Sequence, residues 1–557
     1  MRAVLALLLT LIFTLPSDAI AAGKPNIVII MADDLGYSDI GCYGSEIETP
    51  NLDSLAKGGL RFSQFYNTAR CWPTRAAVMT GYYPQQVRMD PQQRPKQQQR
   101  KVQGGGGGQA PGRGLPEWTR TLPQYLKPAG YYSYHSGKWH VGAAPRVVQD
   151  GGFEHSYVLD DHNRNFNPQA HKEDDVSLPP VQPGTGYYTS TAITDYALKY
   201  LRGHATEHGS APFFLYLAYT VPHFPLQAPE ADIAKYRYRY KEGWDVMRQK
   251  RFHRLKEMGL TKNAPPAMES EILAPSGDPD TAEKLGPVES FHAVPWNSLS
   301  TDQQQYQAEK MAIHAAMIDR MDQEIGRVLA QLKAMNAAEN TLIFFLSDNG
   351  ASAEILVRGD GHDATAPEGS AKSFLCLGPG WSSACNTPFR RHKIWVHEGG
   401  ISTPLIVNWP AGIPAKGELR HDVSHAVDLV PTVLELAGIA PARGAAASVA
   451  DTGTDAPTTP APPFPGVSLA PAIAKDGTVK RDYVYFNHQG NNGLRIGDWK
   501  IVRDGPNKPW ELYDMASDRG ESNNLASKHA DRVAELDAVW QAKTEEFKKD
   551  AAVAEVK

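Results

Sequence analysis

Four cysteines in 557 residues are too few to build a disulfide scaffold. Positive charge is also scarce: 57 Lys and Arg face 62 Asp and Glu, for a formal net charge of −5. No global basic field exists to draw the chain onto nucleic acid. Beyond Leu15 no apolar run is long enough for a transmembrane helix. Internal repeats are absent, and 48 Gly with 42 Pro are too dispersed for a collagen-like period. What remains is 41% hydrophobic and 21% charged, which excludes a wholly disordered chain. The length suggests more than one structural unit around a large core.

Met1-Arg2, the apolar run Ala3 to Leu15 and the small-residue pattern Ala19-Ile20-Ala21 describe a secretory signal peptide over residues 1–21. The expected product is soluble, periplasmic or secreted, with no membrane anchor after cleavage.

Four continuous apolar runs read as strands covered on both faces: Ile27 to Met31, Phe213 to Leu217, Leu342 to Leu346 and Pro404 to Val407. Helical stretches lie between them. The clearest, Asp302 to Met335, carries Met311, Ile318, Met321, Ile325, Val328 and Leu332 as one apolar stripe. Strands alternating with helices predict an α/β domain whose functional groups gather at the carboxyl ends of its strands. Residues 91–114, rich in Gln, Gly, Pro and Arg, read as a low-complexity insertion in a catalytic unit spanning 22–440. Residues 441–464 read as a linker. Residues 465–557 hold three short strands and a final helix from about His529 to Lys548, a small α+β unit.

Two strands end in oxygen-rich pairs, Asp33-Asp34 and Asp348-Asn349. Such ligands suit a hard cation, Ca²⁺ or Mg²⁺. Alone, each pair reads first as an ordinary turn; the two together at strand ends of one sheet put metal binding on a level with it. The segment Cys71-Trp72-Pro73-Thr74-Arg75, running on to Thr80-Gly81, adds a cysteine at an expected helix N-terminus, with Pro73 in its first turn and Gly81 at its end.

Cys-x-Pro-Ser/Thr-Arg followed by Thr-Gly resembles the signature of the formylglycine-dependent sulfatases of the alkaline phosphatase superfamily. Pro25 to Gly36, Gly137-Lys138-Trp139-His140, Pro222-His223, Ser347 to Gly350, His397-Glu398-Gly399-Gly400, Gly497-Asp498-Trp499-Lys500 and Trp510 to Asp514 are similar to further motifs of that family. The resemblance implies a large, mixed but mostly parallel sheet sandwiched by helices, followed by a small C-terminal domain with an antiparallel sheet. It implies an arylsulfatase-like sulfuric ester hydrolase in which Cys71 is oxidised to formylglycine by a separate maturation enzyme. The hydrate of that aldehyde attacks sulfur, and a covalent sulfate ester on residue 71 is then resolved. Asp33, Asp34, Asp348 and Asn349, with residue 71, would hold one Ca²⁺ or Mg²⁺. Arg75 would steady the hydrate, Lys138 would bind sulfate oxygen, and His140 would take the proton that expels sulfate. His223 and Lys393 would bind sulfate and protonate the departing oxygen.

Within the same superfamily a phosphonate or phosphate monoester hydrolase is the rival enzyme, and a catalytically silent binder of sulfated glycans is the rival non-enzyme. Two departures stand out. Many relatives have Arg where this chain has Ser402, and Ile401 excludes a zinc-protease reading of His397-Glu398. Gly378 to Lys393, with Trp381, Asn386, Arg390 and Arg391, is either a specificity loop or an ordinary one. Cys376 and Cys385 enclose a short loop and are expected to pair in an oxidising compartment, leaving Cys42 as a buried free thiol.

Overall fold

The structure is a computed structural model that describes residues 23–90, 114–275, 280–439 and 460–552. The expected signal peptide, nearly all of the insertion and most of the linker lie outside the described residues.

Ten strands form the main sheet. Its order from edge to edge is Glu418–Arg420, Leu60–Phe62, Leu405–Asn408, Thr341–Ser347, Asn26–Asp33, Phe213–Pro222, Tyr132–Gly137, His155–Leu159, His171–Glu173 and Val176–Ser177. The five strands from Thr341–Ser347 to His155–Leu159 run parallel. Leu405–Asn408 runs against both of its neighbours, so the sheet is mixed. Alternation along Asn26–Asp33 sends Val28, Ile30 and Ala32 into one core and Ile27, Ile29 and Met31 into the other. That is why the run is apolar at every position.

The Thr301–Ala334 helix starts at a capping box between Ser300 and Gln303, and its whole expected stripe enters the first core. The Cys71–Thr80 and Leu429–Leu436 helices cover the opposite face. Gly81, at φ 78°, ends the former with its N–H on Ala77 O. Among the described residues no helix is long and apolar enough to cross a membrane.

A separate antiparallel sheet, Val484–His488, Asn491–Ile496, Trp499–Asp504 and Glu511–Asp514, is followed by the Ala530–Ala552 helix. Leu536, Trp540 and Phe547 of that helix share a core with Tyr83 and the large sheet. A buried ionic bolt joins the units as well. Lys500 Nζ lies 2.8 Å from both Glu398 and Glu521, and Arg519 reaches Glu398 at 3.1 Å.

The expected Cys376–Cys385 disulfide is not formed; all four cysteines are free. The intervening chain folds as the Gly378–Cys385 helix, and its rise holds the two cysteines roughly 10 Å or more apart, beyond disulfide reach. Cys376 Sγ instead bonds Leu356 O, and Cys385 Sγ stands 3.8 Å from His314. Cys42 is free, and only half-buried.

Candidate active site

Because Asn26–Asp33 and Thr341–Ser347 are adjacent and parallel, their carboxyl ends deliver Asp33-Asp34 and Asp348-Asn349 to one place. Asp34 adopts φ 68°, a conformation aspartate tolerates better than most residues, and its N–H donates to Asp348 Oδ1. The strand on the other side, Phe213–Pro222, adds His223, and Tyr132–Gly137 adds Lys138. Gly137 sits at φ 120°, and a Cβ there would lie 1.9 Å from Ala218 O. Only glycine lets this strand end approach closely enough to aim Lys138 at the cluster.

Cys71 opens its helix and is buried. One turn on, Arg75 is fully buried; its Nε and Nη2 donate to Asp348 Oδ2 at 3.0 and 2.7 Å, and its Nη1 donates to Lys138 O. Lys138 Nζ donates to Asp33 at 2.6 Å. Lys393 Nζ lies 2.8 Å from Asp34 and 3.2 Å from Glu354, which Arg70 also holds. Asn349 Nδ2 donates to Asp34. His223 Nδ1 donates to Phe224 O, leaving Nε2 3.7 Å from Asp34. His140, two residues beyond Lys138, stands at φ 54°, past the strand end. Its ring packs near Trp72 and His162, and both its nitrogens are buried without a partner. All the expected site residues therefore gather around the ends of four adjacent strands.

The sulfatase family model matches residues 25–439. The chain belongs to the sulfatase family. It is 32% identical to an uncharacterised sulfatase of Schizosaccharomyces pombe, over 93% of each chain. It is 30% identical to an arylsulfatase of Klebsiella aerogenes, over 76% of this chain and 89% of that one. In fold it is similar to the crystal structure of Ps i-CgsB, at TM-score 0.63 and 22% identity, with 95% and 94% of the two chains covered. The protein is thus a sulfuric ester hydrolase with the expected architecture.

Electrostatics in this sulfatase follow from packing three carboxylates into a buried pocket. Burial and the charge of Asp33 push Asp348 up to about 7 despite Arg75. Burial raises Asp34 too, against the pull of Lys393. Burial would raise Asp33, but Lys138, His223, Arg75 and Lys393 hold it well below the carboxylate range. Burial and nearby lysines keep His140 and His223 neutral. Lys393 is held charged, burial being outweighed by Asp34 and Glu354. Burial raises the Cys71 thiol, so it is a poor thiolate nucleophile.

The oxygen set fits a hard cation. Asp33 Oδ1 and Asn349 Oδ1 are buried with no hydrogen-bond partner, and crowded carboxylates of this kind call for a compensating cation.

Several residues of the site escape a sequence reading. Glu354 bridges Arg70 and Lys393, and its one signal is being an acid soon after Asn349. His162 stands between His140 and His223. Arg519 of the C-terminal unit donates to Ser402 Oγ at 3.0 Å, bringing a guanidinium to that position from a distant part of the chain. Within Gly378 to Lys393, Trp381 donates to Gln307 O and Asn386 braces Ala351. Arg390 pairs with Glu269 and Glu511, and Arg391 with Glu269 and Asp504. These four side chains brace the stretch, while Lys393 at its end enters the site. A second acid–thiol group, Asp39, His314 and Cys385, is also buried. Its carboxylate is already matched by Arg251 at 2.7 Å.

Proposed function

We propose that this sulfatase is exported to the periplasm or medium and hydrolyses sulfate esters of saccharides or aryl alcohols, using formylglycine made from Cys71 by a maturation enzyme and one Ca²⁺ or Mg²⁺. The observation that carries the reading is the juxtaposition of a buried helix-N-terminal Cys71 with an all-oxygen cluster ringed by Arg75, Lys138 and Lys393. Family relatives support it. N-acetylgalactosamine-6-sulfatase of Homo sapiens is 27% identical over 91% of this chain. BT4656, similar in fold at TM-score 0.60, was solved with its substrate D-glucosamine-2-N,6-O-disulfate.

Asp33, Asp34, Asp348 and Asn349 would hold the ion, which when bound acidifies the nucleophile and offsets the charge of sulfate. Formylglycine supplies a hydrated aldehyde as that nucleophile. Arg75 opposes the burial that pushes Asp348 up and ties it to the Cys71–Thr80 helix. Lys138 and Lys393 bind sulfate oxygens, and His223 presents Nε2 beside them. Lys393, held charged, is the better proton donor to the departing alcohol oxygen. Neutral His140 accepts the proton when sulfate leaves.

The test is sulfate release from 4-nitrophenyl sulfate and sulfated sugars by protein co-produced with a formylglycine-generating enzyme. Cys71→Ala should abolish turnover with an unchanged melting curve. Elemental analysis should find about one Ca²⁺ or Mg²⁺ per chain. Full activity with unmodified Cys71, or faster turnover of the matched phosphate ester, would overturn the reading.

A further inference from the structure

The other cations of the site are matched to carboxylates: buried Arg75 to Asp348, Lys138 to Asp33 and Lys393 to Asp34 and Glu354, and half-buried Arg70 to Glu354. Arg358 breaks that pattern. It lies half-buried four residues beyond Glu354, and its side chain makes no hydrogen bond or ion pair with the described residues. Its guanidinium carbon stands 5.6 Å from the centre of the Phe224 ring, and Lys393 Nζ stands 5.4 Å from the centre of that same ring. Its charge is felt by both His162 and Glu354, so it lies at the edge of the pocket and not out on the surface.

The loop that carries it is pinned. Arg164 clasps Asp360 with Nε and Nη2, each at 2.6 Å, and uses Nη1 to hold Asp161. The same clasp braces the segment of His162, whose ring is 5.5 Å from that of His223. A guanidinium laid against an aromatic ring, on a braced loop, with its donors unspent is a receptor for a planar or tetrahedral anion. The reacting sulfate does not need it, because Lys138 and Lys393 already flank that position.

We propose that Arg358 binds a second anionic group, a carboxylate or a further sulfate, on the alcohol part of the substrate, so that the enzyme's substrates are polyanionic saccharides. The inference rests on the sulfate-ester reading above. A neutral sugar or simple aryl alcohol leaves Arg358 unmatched and gains nothing from it.

The experiment uses the matured full-length protein and three substrates: a neutral monosulfated hexosamine, the same sugar bearing a second sulfate, and the same sulfated sugar linked to a uronate. kcat/KM is measured for wild type, Arg358→Gln and Arg358→Lys. In wild type at least one anion-bearing substrate should be preferred over the neutral one. Arg358→Gln should lower that preference about 10- to 100-fold, the worth of one charge-assisted hydrogen bond, and Arg358→Lys should retain part of it. The arm that falls identifies the carboxylate or the sulfate as the partner. An unchanged preference in both arms, or no preference in wild type, overturns the inference while leaving the hydrolase reading intact. No sulfate release by wild type from any of these or from 4-nitrophenyl sulfate removes the hydrolase reading, and the inference with it.

Discussion

Lys500 offers a quantitative test of how the C-terminal sheet is held. Its ammonium is fully buried between Glu398 and Glu521, 2.8 Å from each, and Glu521 Oε2 also accepts the Glu398 N–H. Burial opposes the charge, but the two carboxylates hold Lys500 protonated. Lys500→Met fills most of the same space and removes the charge. Arg519 still covers Glu398, whereas Glu521 is left buried without a cation. Removing one partner of a buried ion pair costs about 3–5 kcal/mol. At the average unfolding entropy per residue, a chain of this length unfolding as one unit gains roughly 1.1 kcal/mol per degree, so Tm should fall by about 3–5 °C. Calorimetry measures this directly, and hydrogen exchange across 484–514 should show lost protection. Adding Glu521→Gln should recover most of the loss, because the cost lies in the orphaned carboxylate. A Tm within one degree of wild type with unchanged exchange, on the scale just derived, would refute the reasoning.

Three further outcomes are expected. Gly137→Ala puts a methyl 1.9 Å from Ala218 O at φ 120°, and should cost about 3 kcal/mol or more with loss of sulfate release; a wild-type denaturation midpoint would contradict this. Burial favours the proton on Glu511, but His397, Tyr513 and Arg390 win and lower it from 4.5 to about 2. The folded state therefore binds fewer protons than the unfolded one, and Glu511 contributes about 3 kcal/mol in full above pH 4.5 that is lost as pH falls towards 2. The stability gap between wild type and Glu511→Gln should shrink by about 1.4 kcal/mol per pH unit in that window, and parallel pH curves would count against the ion-pair account. Alkylation of denatured, unreduced protein should modify both Cys376 and Cys385; recovery of a peptide linking them would restore the expected disulfide.

Much of the fold can be read from residue pattern because strands buried on both faces are apolar throughout. Asn26–Asp33, Phe213–Pro222 and Thr341–Ser347 are legible for that reason. Strand direction is not: Leu405–Asn408 carries the same apolar run yet lies antiparallel. His171–Glu173 and Val176–Ser177 are short, lack an apolar run and, His171 apart, are half-exposed or exposed at the sheet edge, so they have no apolar signature. In the site, carboxylates at strand ends announce themselves through local context. Glu354 does not, because its partner Arg70 lies 284 residues away and nothing in the local sequence encodes the pairing. The expected short loop between Cys376 and Cys385 is a helix instead, with Pro379 in its first turn, and that separates the two thiols.

Arg519 and Ser402 carry a consequence for how such chains change over time. The family resemblance leads one to expect an arginine at the position of Ser402; here the guanidinium arrives from the C-terminal unit and also covers Glu398. Restoring arginine at 402 beside Arg519 would crowd two like charges into one buried corner, and deleting Arg519 alone would leave that corner with neither. The two sites can change hands only together. A chimera that borrows its C-terminal unit from a relative carrying arginine at 402 must therefore bring that residue with it, so the small domain is not an interchangeable cassette.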